Sequence, residues 1–326
     1  MSNDRRKFLQ HLSGIAGLAF LPGILDSCSP LANPQSRTQS SDPSKLFVDI
    51  SLAQWSLHKA FFSKELDPLD FPVIAKKQFG ISAVEYVNQF YMDKAKNTSY
   101  LNELLKRCKD NDVKNHLIMC DGEGGLGELD DKKRLLAVEN HYKWVDAAKY
   151  LGCATIRVNA HGIGTAEEVH HAAVDGLGRL SEYAKKENIN VIVENHGGYS
   201  SNGTWLSSVM KEVNKRNVGT LPDFNNFCLE RDESVSEWGG KCIKEYDRYK
   251  GTQEMMPFAK GVSAKTIDFD ENGNCVETDY FKMLKIVKDA GFRGYMGIEY
   301  EGEKLSESEG ILKTKALIQK VGASLA

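Results

Sequence analysis

Residues 191–198 read VIVENHGG: three β-branched apolar residues run straight into Glu194, then come Asn195, His196 and two glycines. A short apolar run of this kind is a strand covered on both faces, and the glycines behind it mark a loop. Three further runs end in the same manner. GTLPD (219–223) ends on Asp223, GVSAK (261–265) on Lys265 and MGIE (296–299) on Glu299. Buried strands that alternate with helices imply a parallel sheet. Charged residues gathered at the strand ends place the chemistry on one rim of a closed α/β barrel. Several carboxylates on one rim repel one another unless protons or a cation lie among them, and a divalent metal is the simplest such cation.

Working outward from that stretch, strands are expected at 47–54, 83–87, 116–120, 155–159, 190–194, 218–223, 261–265 and 295–299. Helices are expected between them, at 68–78, 99–110, 131–151, 165–186, 204–214, 241–256, 278–290 and 305–321. Gly80, Gly152 and Gly291 sit where helices should stop, and Thr165 with Glu168 forms a capping box. Eight strand–helix units fit a (β/α)8 TIM barrel. The competing architecture, an open doubly wound sheet, needs a phosphate loop. The nearest candidate is GEGGLG (122–127), whose Glu123 would repel a phosphate, so the segment is expected as a mobile loop over the rim. The stretch 232–250, with Trp238, reads as a crossover or a lid.

The 326 residues suit one large α/β domain, and a net charge of −3 gives no basic field for nucleic acid. The seven cysteines contain no CxxC pair, which argues against a zinc ribbon. Cys120, Cys153 and Cys228 fall in or beside strands and are expected as small buried residues. The N-terminus reads differently. Arg5-Arg6-Lys7-Phe8-Leu9 precedes an apolar stretch to Leu25 and the tetrad Leu25-Asp26-Ser27-Cys28. This is a twin-arginine export pattern with a lipoprotein-like box. Asp26 fits the box poorly, so cleavage without lipidation is the alternative to a membrane anchor on Cys28. The expected organisation is a signal at 1–28, a Ser/Pro-rich tether at 29–45 and the barrel at 46–326, with the mature protein in the periplasm.

The strand assignments sort the candidate site residues. His11 falls in the leader, and His141, His170 and His171 fall on helices. His116 starts a strand on the structural face. His58, His161 and His196 follow strands on the catalytic rim, with His196 the leading catalytic candidate. Trp55, Glu85, Arg157, Asn159, His161 and Asn225 are expected to bind substrate. Arg157 and Lys265 can pair with Glu85, Asp121 and Glu301, but two cations do not balance all the acids on the rim.

The ordered set VIVENHGG, GTLPDFNNF, GVSAKTIDF and MGIEYEG resembles the sugar phosphate isomerase/epimerase family, the xylose isomerase-like barrels, from about Val48 to the C-terminus. The resemblance implies a divalent metal held by Glu194, Asp223 and Glu299. Oxygen ligands favour Mg²⁺ or Mn²⁺, and an added imidazole favours Mn²⁺, Co²⁺ or Zn²⁺. One departure stands out. The family's His-x-Lys on the seventh strand is Ser263-Ala264-Lys265 here, and Asn225 and Asn226 stand where a second histidine is common. Either another group fills the fourth position, or the affinity is low, or the site works without metal.

The resemblance implies an enzyme that moves a proton next to the carbonyl of a small carbohydrate through an enediolate. Glu194 or Glu299 would be the base, Lys265 the oxyanion partner, and the opposite carboxylate or His196 the returning acid. A 3-keto-glycoside lyase or hydratase starting from the same abstraction is the alternative, and so is a non-catalytic sugar-binding lipoprotein. A nuclease role wants more histidines and a basic groove.

Overall fold

Eight parallel strands form the ring in the computed structural model, which describes residues 46–232 and 240–325. The signal, the tether, Cys28 and Trp238 lie outside the described residues. The strands in chain order are β1 (Asp49–Ala53), β2 (Ala83–Val87), β3 (Lys114–Met119), β4 (Thr155–Val158), β5 (Asn190–Glu194), β6 (Val218–Leu221), β7 (Cys228–Arg231), β8 (Cys242–Glu245), β9 (Val262–Thr266) and β10 (Tyr295–Tyr300). Hydrogen-bonded neighbours run β6-β5-β4-β3-β2-β1-β10-β9. Bridges Thr220–Ala259 and Asp223–Ser263 join the two ends. Ser263 donates its backbone N–H to Pro222 (2.9 Å), and Phe224 donates to Ser263 (3.1 Å). The closing seam therefore runs beside two rim residues.

Period-two alternation divides the side chains of each strand between two cores. Outward residues such as Val191, Val193, Ile298 and Ala264 pack under the helices. Inward residues Ala53, Val87, Leu117, Met119, Ile192 and Leu221 fill the barrel. The same parity carries Glu194, Glu299, Ser263 and Lys265 inward, one step beyond that apolar plug. Deeper in the barrel sits Glu85, almost fully buried, accepting from the Ser51 hydroxyl (2.5 Å). Its carboxylate fills the space a side chain would take at Gly297, where a Cβ would come within 2.7 Å.

The helices begin and end where local chemistry stops or starts them. Asp130 caps Asp131–Leu151 by accepting from the backbone N–H groups of Lys132 and Lys133, and Gly152 ends that helix at φ 75°. The Thr165–Glu168 capping box opens Ala166–Lys186.

Three expectations are corrected. The helix expected at 241–256 is strand β8 followed by a shorter helix, Arg248–Met255, capped by Asp247. β8 pairs antiparallel with β7, and Cys228 is bonded to Cys242 rather than standing free. Local pattern carries no trace of such a cross-link. The loop at 122–127 is pinned rather than mobile. Glu123 is buried, accepting from Trp144 Nε1 (2.6 Å) and paired with Lys143, while Gly127 donates to the His161 carbonyl (2.8 Å). The segment carries G-x-G-x-x-G spacing, but no helix opens at its end; the next one starts at Asp131.

Candidate active site

Three carboxylates meet where β5, the loop after β6, and β10 end. Ligand-capable oxygens of Glu194, Asp223 and Glu299 all lie within 4.8 Å of one another, and all three residues are buried. The backbone around them is fixed by Asn195, whose amide accepts from the Asp223 N–H (2.7 Å) and donates to the carbonyls of Asp223 and Asn226 (both 3.0 Å). Asp223 Oδ1 accepts from the N–H groups of Asn225 (2.8 Å) and Asn226 (2.9 Å). Asn226 Nδ2 donates to Glu194 Oε1 (3.0 Å).

Two buried cations lie among the acids. Lys265 Nζ is 3.1 Å from Glu299, 3.3 Å from Glu301 and 3.7 Å from Asp223. Arg157 Nη1 pairs with Asp121 (2.6 Å), to which Asn159 also donates (2.7 Å). Arg157 Nε stands 2.8 Å from Glu194 Oε2, yet the N–H is not aimed at it. The pair is close in charge without forming a hydrogen bond, so its attraction is Coulombic only.

The balance of burial and charge differs from acid to acid. Burial raises the Asp121 carboxyl, but Arg157, His196 and Asn159 outweigh it and hold the group at about 2. Glu301 feels the same burial and is still held below the usual range, chiefly by Lys265. Burial wins at the other three. Glu194 is pushed well up, Asp223 up, and Glu299 up to about 7, with neighbouring carboxylates adding to the burial at each. His196 goes the other way, to about 3, through burial and the nearby Arg157, so its imidazole is neutral at physiological pH.

That arrangement fits a divalent cation. Glu194 Oε2 is a buried oxygen with no hydrogen-bond partner among the described residues. Three converging carboxylates form an oxygen donor set of the sort Mg²⁺ and Mn²⁺ prefer. At the position where the resemblance leads one to expect histidine stands Ser263, whose hydroxyl lies 2.6 Å from Asp223 and 3.0 Å from Glu299. It holds two of the carboxylates in place instead of supplying an imidazole.

A cavity of about 560 Å³ opens above this floor. Trp55, Arg157, Asn159, His196, Lys265 and Glu299 line it. Trp55 is held by His58, stacked on it at 4.8 Å with its Nδ1 2.8 Å from the Trp55 carbonyl. The remaining expected residues lie elsewhere. Glu194 and Asp223 are under the floor. Glu85 is deeper still and does not line the cavity. His161 lines a second, adjoining cavity. Asn225 accepts from Arg248 (2.8 Å), and its neighbour Asn226 lines the first cavity instead. Glu301, Gln89 and Arg231 also line it. Glu301 is legible as an acid two residues beyond Glu299, on the same face of the chain, whereas Arg231 belongs to the hairpin that local pattern does not reveal. His116 lies in the opposite half of the barrel, tilted against Tyr295 at 4.3 Å.

Residues 74–321 match the profile of the xylose isomerase-like TIM barrel family. No curated protein matches the sequence. Among solved structures, an IOLI protein with a bound zinc atom aligns with TM-score 0.64 at 16% identity, covering 85% of this chain and 99% of the other. A D-tagatose 3-epimerase-like protein aligns at 0.62 and 15%, covering 84% and 97%. The 3-keto-D-glucoside 4-epimerase YcjR of E. coli aligns at 0.59 and 13%, covering 85% and 100%. At these identities the likeness establishes the fold.

Proposed function

Because the chain belongs to the xylose isomerase-like TIM barrel family, we propose that it is an exported sugar isomerase or epimerase that moves a proton next to a carbonyl. The observation that carries this reading is the cavity floor. There Glu299, raised to about 7, faces the cavity beside a buried ammonium, with Glu194 and Asp223 behind it. The solved structures described as a 3-keto-D-glucoside 4-epimerase and a D-tagatose 3-epimerase-like protein support the same substrate class.

Glu194, Asp223 and Glu299 would hold the cation, which when bound supplies a Lewis acid that polarises a carbonyl. Glu299, ionised, accepts the C–H proton adjacent to the sugar carbonyl. The electron pair left behind moves into the C–C bond and onto the carbonyl oxygen, giving an enediolate. Lys265 stays protonated among its carboxylates and offsets that oxyanion. Return of that proton from Glu299 to the neighbouring carbon, as the hydroxyl proton there passes to the former carbonyl oxygen, completes an isomerisation; a proton delivered to the other face of the original carbon by the opposite carboxylate, Glu194, gives the epimer. His196, neutral and hydrogen-bonded to Asn159 (3.1 Å), orients a substrate hydroxyl rather than acting as an imidazolium donor. Asp121 and Glu301 remain ionised acceptors for substrate hydroxyls.

Export is supported by the Arg5-Arg6 leader and by the Cys228–Cys242 disulfide, since such bonds persist in oxidising compartments. A periplasmic location, with Cys28 as lipid anchor, favours free or keto-sugars over sugar phosphates. The test is exchange of substrate C–H for solvent deuterium across a panel of keto-sugars. Wild type should exchange one position, and Glu299→Gln should slow that by about 10²–10⁴-fold. Full exchange in Glu299→Gln would show the base to be misassigned.

A further inference from the structure

Beside the main cavity lies a second one of about 420 Å³, and the two share Asn159, His196 and Gly197. Each is within the size range of a single-ligand pocket. The second is built around an aromatic pair. Tyr199 and Trp205 stack with centroids 5.9 Å apart at 29°. Trp205 is largely buried and tied to the Ala166 carbonyl (2.9 Å), while Tyr199 is 37% exposed and tied to the Gly164 carbonyl (2.8 Å). The result is a backed, tethered and partly exposed ring in the cavity wall, the kind of aromatic surface on which the C–H face of a pyranose rests. Another part of the wall comes from the disulfide-closed hairpin, through Leu229, Glu230 and Lys244. Glu230 and Lys244 pair with each other at 2.5 Å, so their charges cancel towards a ligand, which suits a neutral ring better than a phosphate.

We infer that the substrate is a two-ring glycoside: the reacting ring occupies the first cavity, and the second ring lies on Tyr199 in the adjoining one. This rests on the first cavity being the site of the chemistry. The glycosidic oxygen crosses the shared seam beside His196 and Asn159. Gly197 adopts φ 87° there, a conformation that keeps the seam free of a side chain. The second ring is a recognition element, so it raises affinity without touching Glu299.

The experiment is calorimetric titration of the wild type, Tyr199→Ala and Leu229→Trp with glucose against cellobiose and galactose against lactose. Deuterium exchange on single-ring keto-sugars is measured alongside. The wild type should bind at least one two-ring sugar tenfold or more tighter than its single-ring counterpart. Removing the platform or filling the chamber should abolish that gain and change single-ring affinity less than twofold. Equal affinity for one and two rings, equal weakening of both by the variants, or no sugar binding at all would overturn the inference. Exchange on a single-ring sugar without a two-ring preference sinks this inference alone. A two-ring preference without exchange on any sugar supports the chamber and sinks the proposed chemistry.

Discussion

The barrel interior buries acids at two depths and treats them differently. Deep in the barrel, Glu85 has one Ser51 hydroxyl for company, and burial raises it to about 7, so below that pH a proton keeps it uncharged. At the rim, five acids, Asp121, Glu194, Asp223, Glu299 and Glu301, surround Arg157 and Lys265, and two of the five are held ionised by those cations. A carboxylate in an apolar barrel is neutralised either by a proton or by a cation. Only the second choice leaves charge available for chemistry, and only the rim has it. The three rim acids that the cations do not satisfy are the three whose oxygens converge, a donor set that a divalent ion suits.

The largest effect should come from removing the rim's central cation. Lys265→Met leaves its carboxylates uncompensated and should destabilise the metal-free protein by about 3–5 kcal/mol. It should also lower turnover by about 10²-fold or more through loss of oxyanion stabilisation. Chemical denaturation with and without Mn²⁺, together with turnover, reads both. A stable, active variant would erase the distinction between the two depths.

Glu85→Gln tests the deeper level. The folded-state pKa is raised from 4.5 to about 7, so the acid contributes favourably only while protonated. Stability should fall as pH rises from 4.5 through about 7 and then level off. By linkage the loss is on the order of 3 kcal/mol. The glutamine variant should lack that slope and match or exceed wild type at pH 8, with sugar affinity unchanged. Unfolding free energies at pH 5 and pH 8 measure it, and an identical slope in both proteins would mean that Glu85 is not the group responsible.

A smaller effect sharpens the rim. Ser263 braces Asp223 and Glu299 where the resembling family carries histidine. Ser263→His should tighten metal affinity by about tenfold and shift preference towards Zn²⁺ or Co²⁺, since imidazole suits those ions. Competition titration with a chromogenic chelator would show it; weaker binding would mean that the hydroxyl brace matters more than an added ligand.

Much of the barrel and its rim is legible in the sequence. The four runs ending on Glu194, Asp223, Lys265 and Glu299 give both the barrel and three of its converging acids, because strand parity fixes which side chains turn inward. Gly80 and Gly152 stop helices for a purely local reason. What the sequence hides is long-range or fine-grained. The Cys228–Cys242 bond joins residues with no periodic relation, so its hairpin reads as helix and Arg231 does not stand out. Asn225 and Asn226 are adjacent, and only the loop's path decides that Asn226 reaches Glu194. Glu85 lies on an inward-facing strand position like the site residues, but its depth along the barrel axis depends on strand stagger, which a one-dimensional reading does not supply. The leader at 1–28 lies outside the described residues, and among those described no helix is long and apolar enough to cross a membrane.

The central claim is that Glu194, Asp223 and Glu299 hold one divalent ion despite Ser263. Elemental mass spectrometry of the purified protein beside its Glu194→Ala variant tests it most directly. The account predicts about one Mg, Mn, Co or Zn per wild-type chain and loss of that metal in the variant. No metal in either protein, even after incubation with each ion in turn, would contradict it and shift the chemistry onto Lys265 alone.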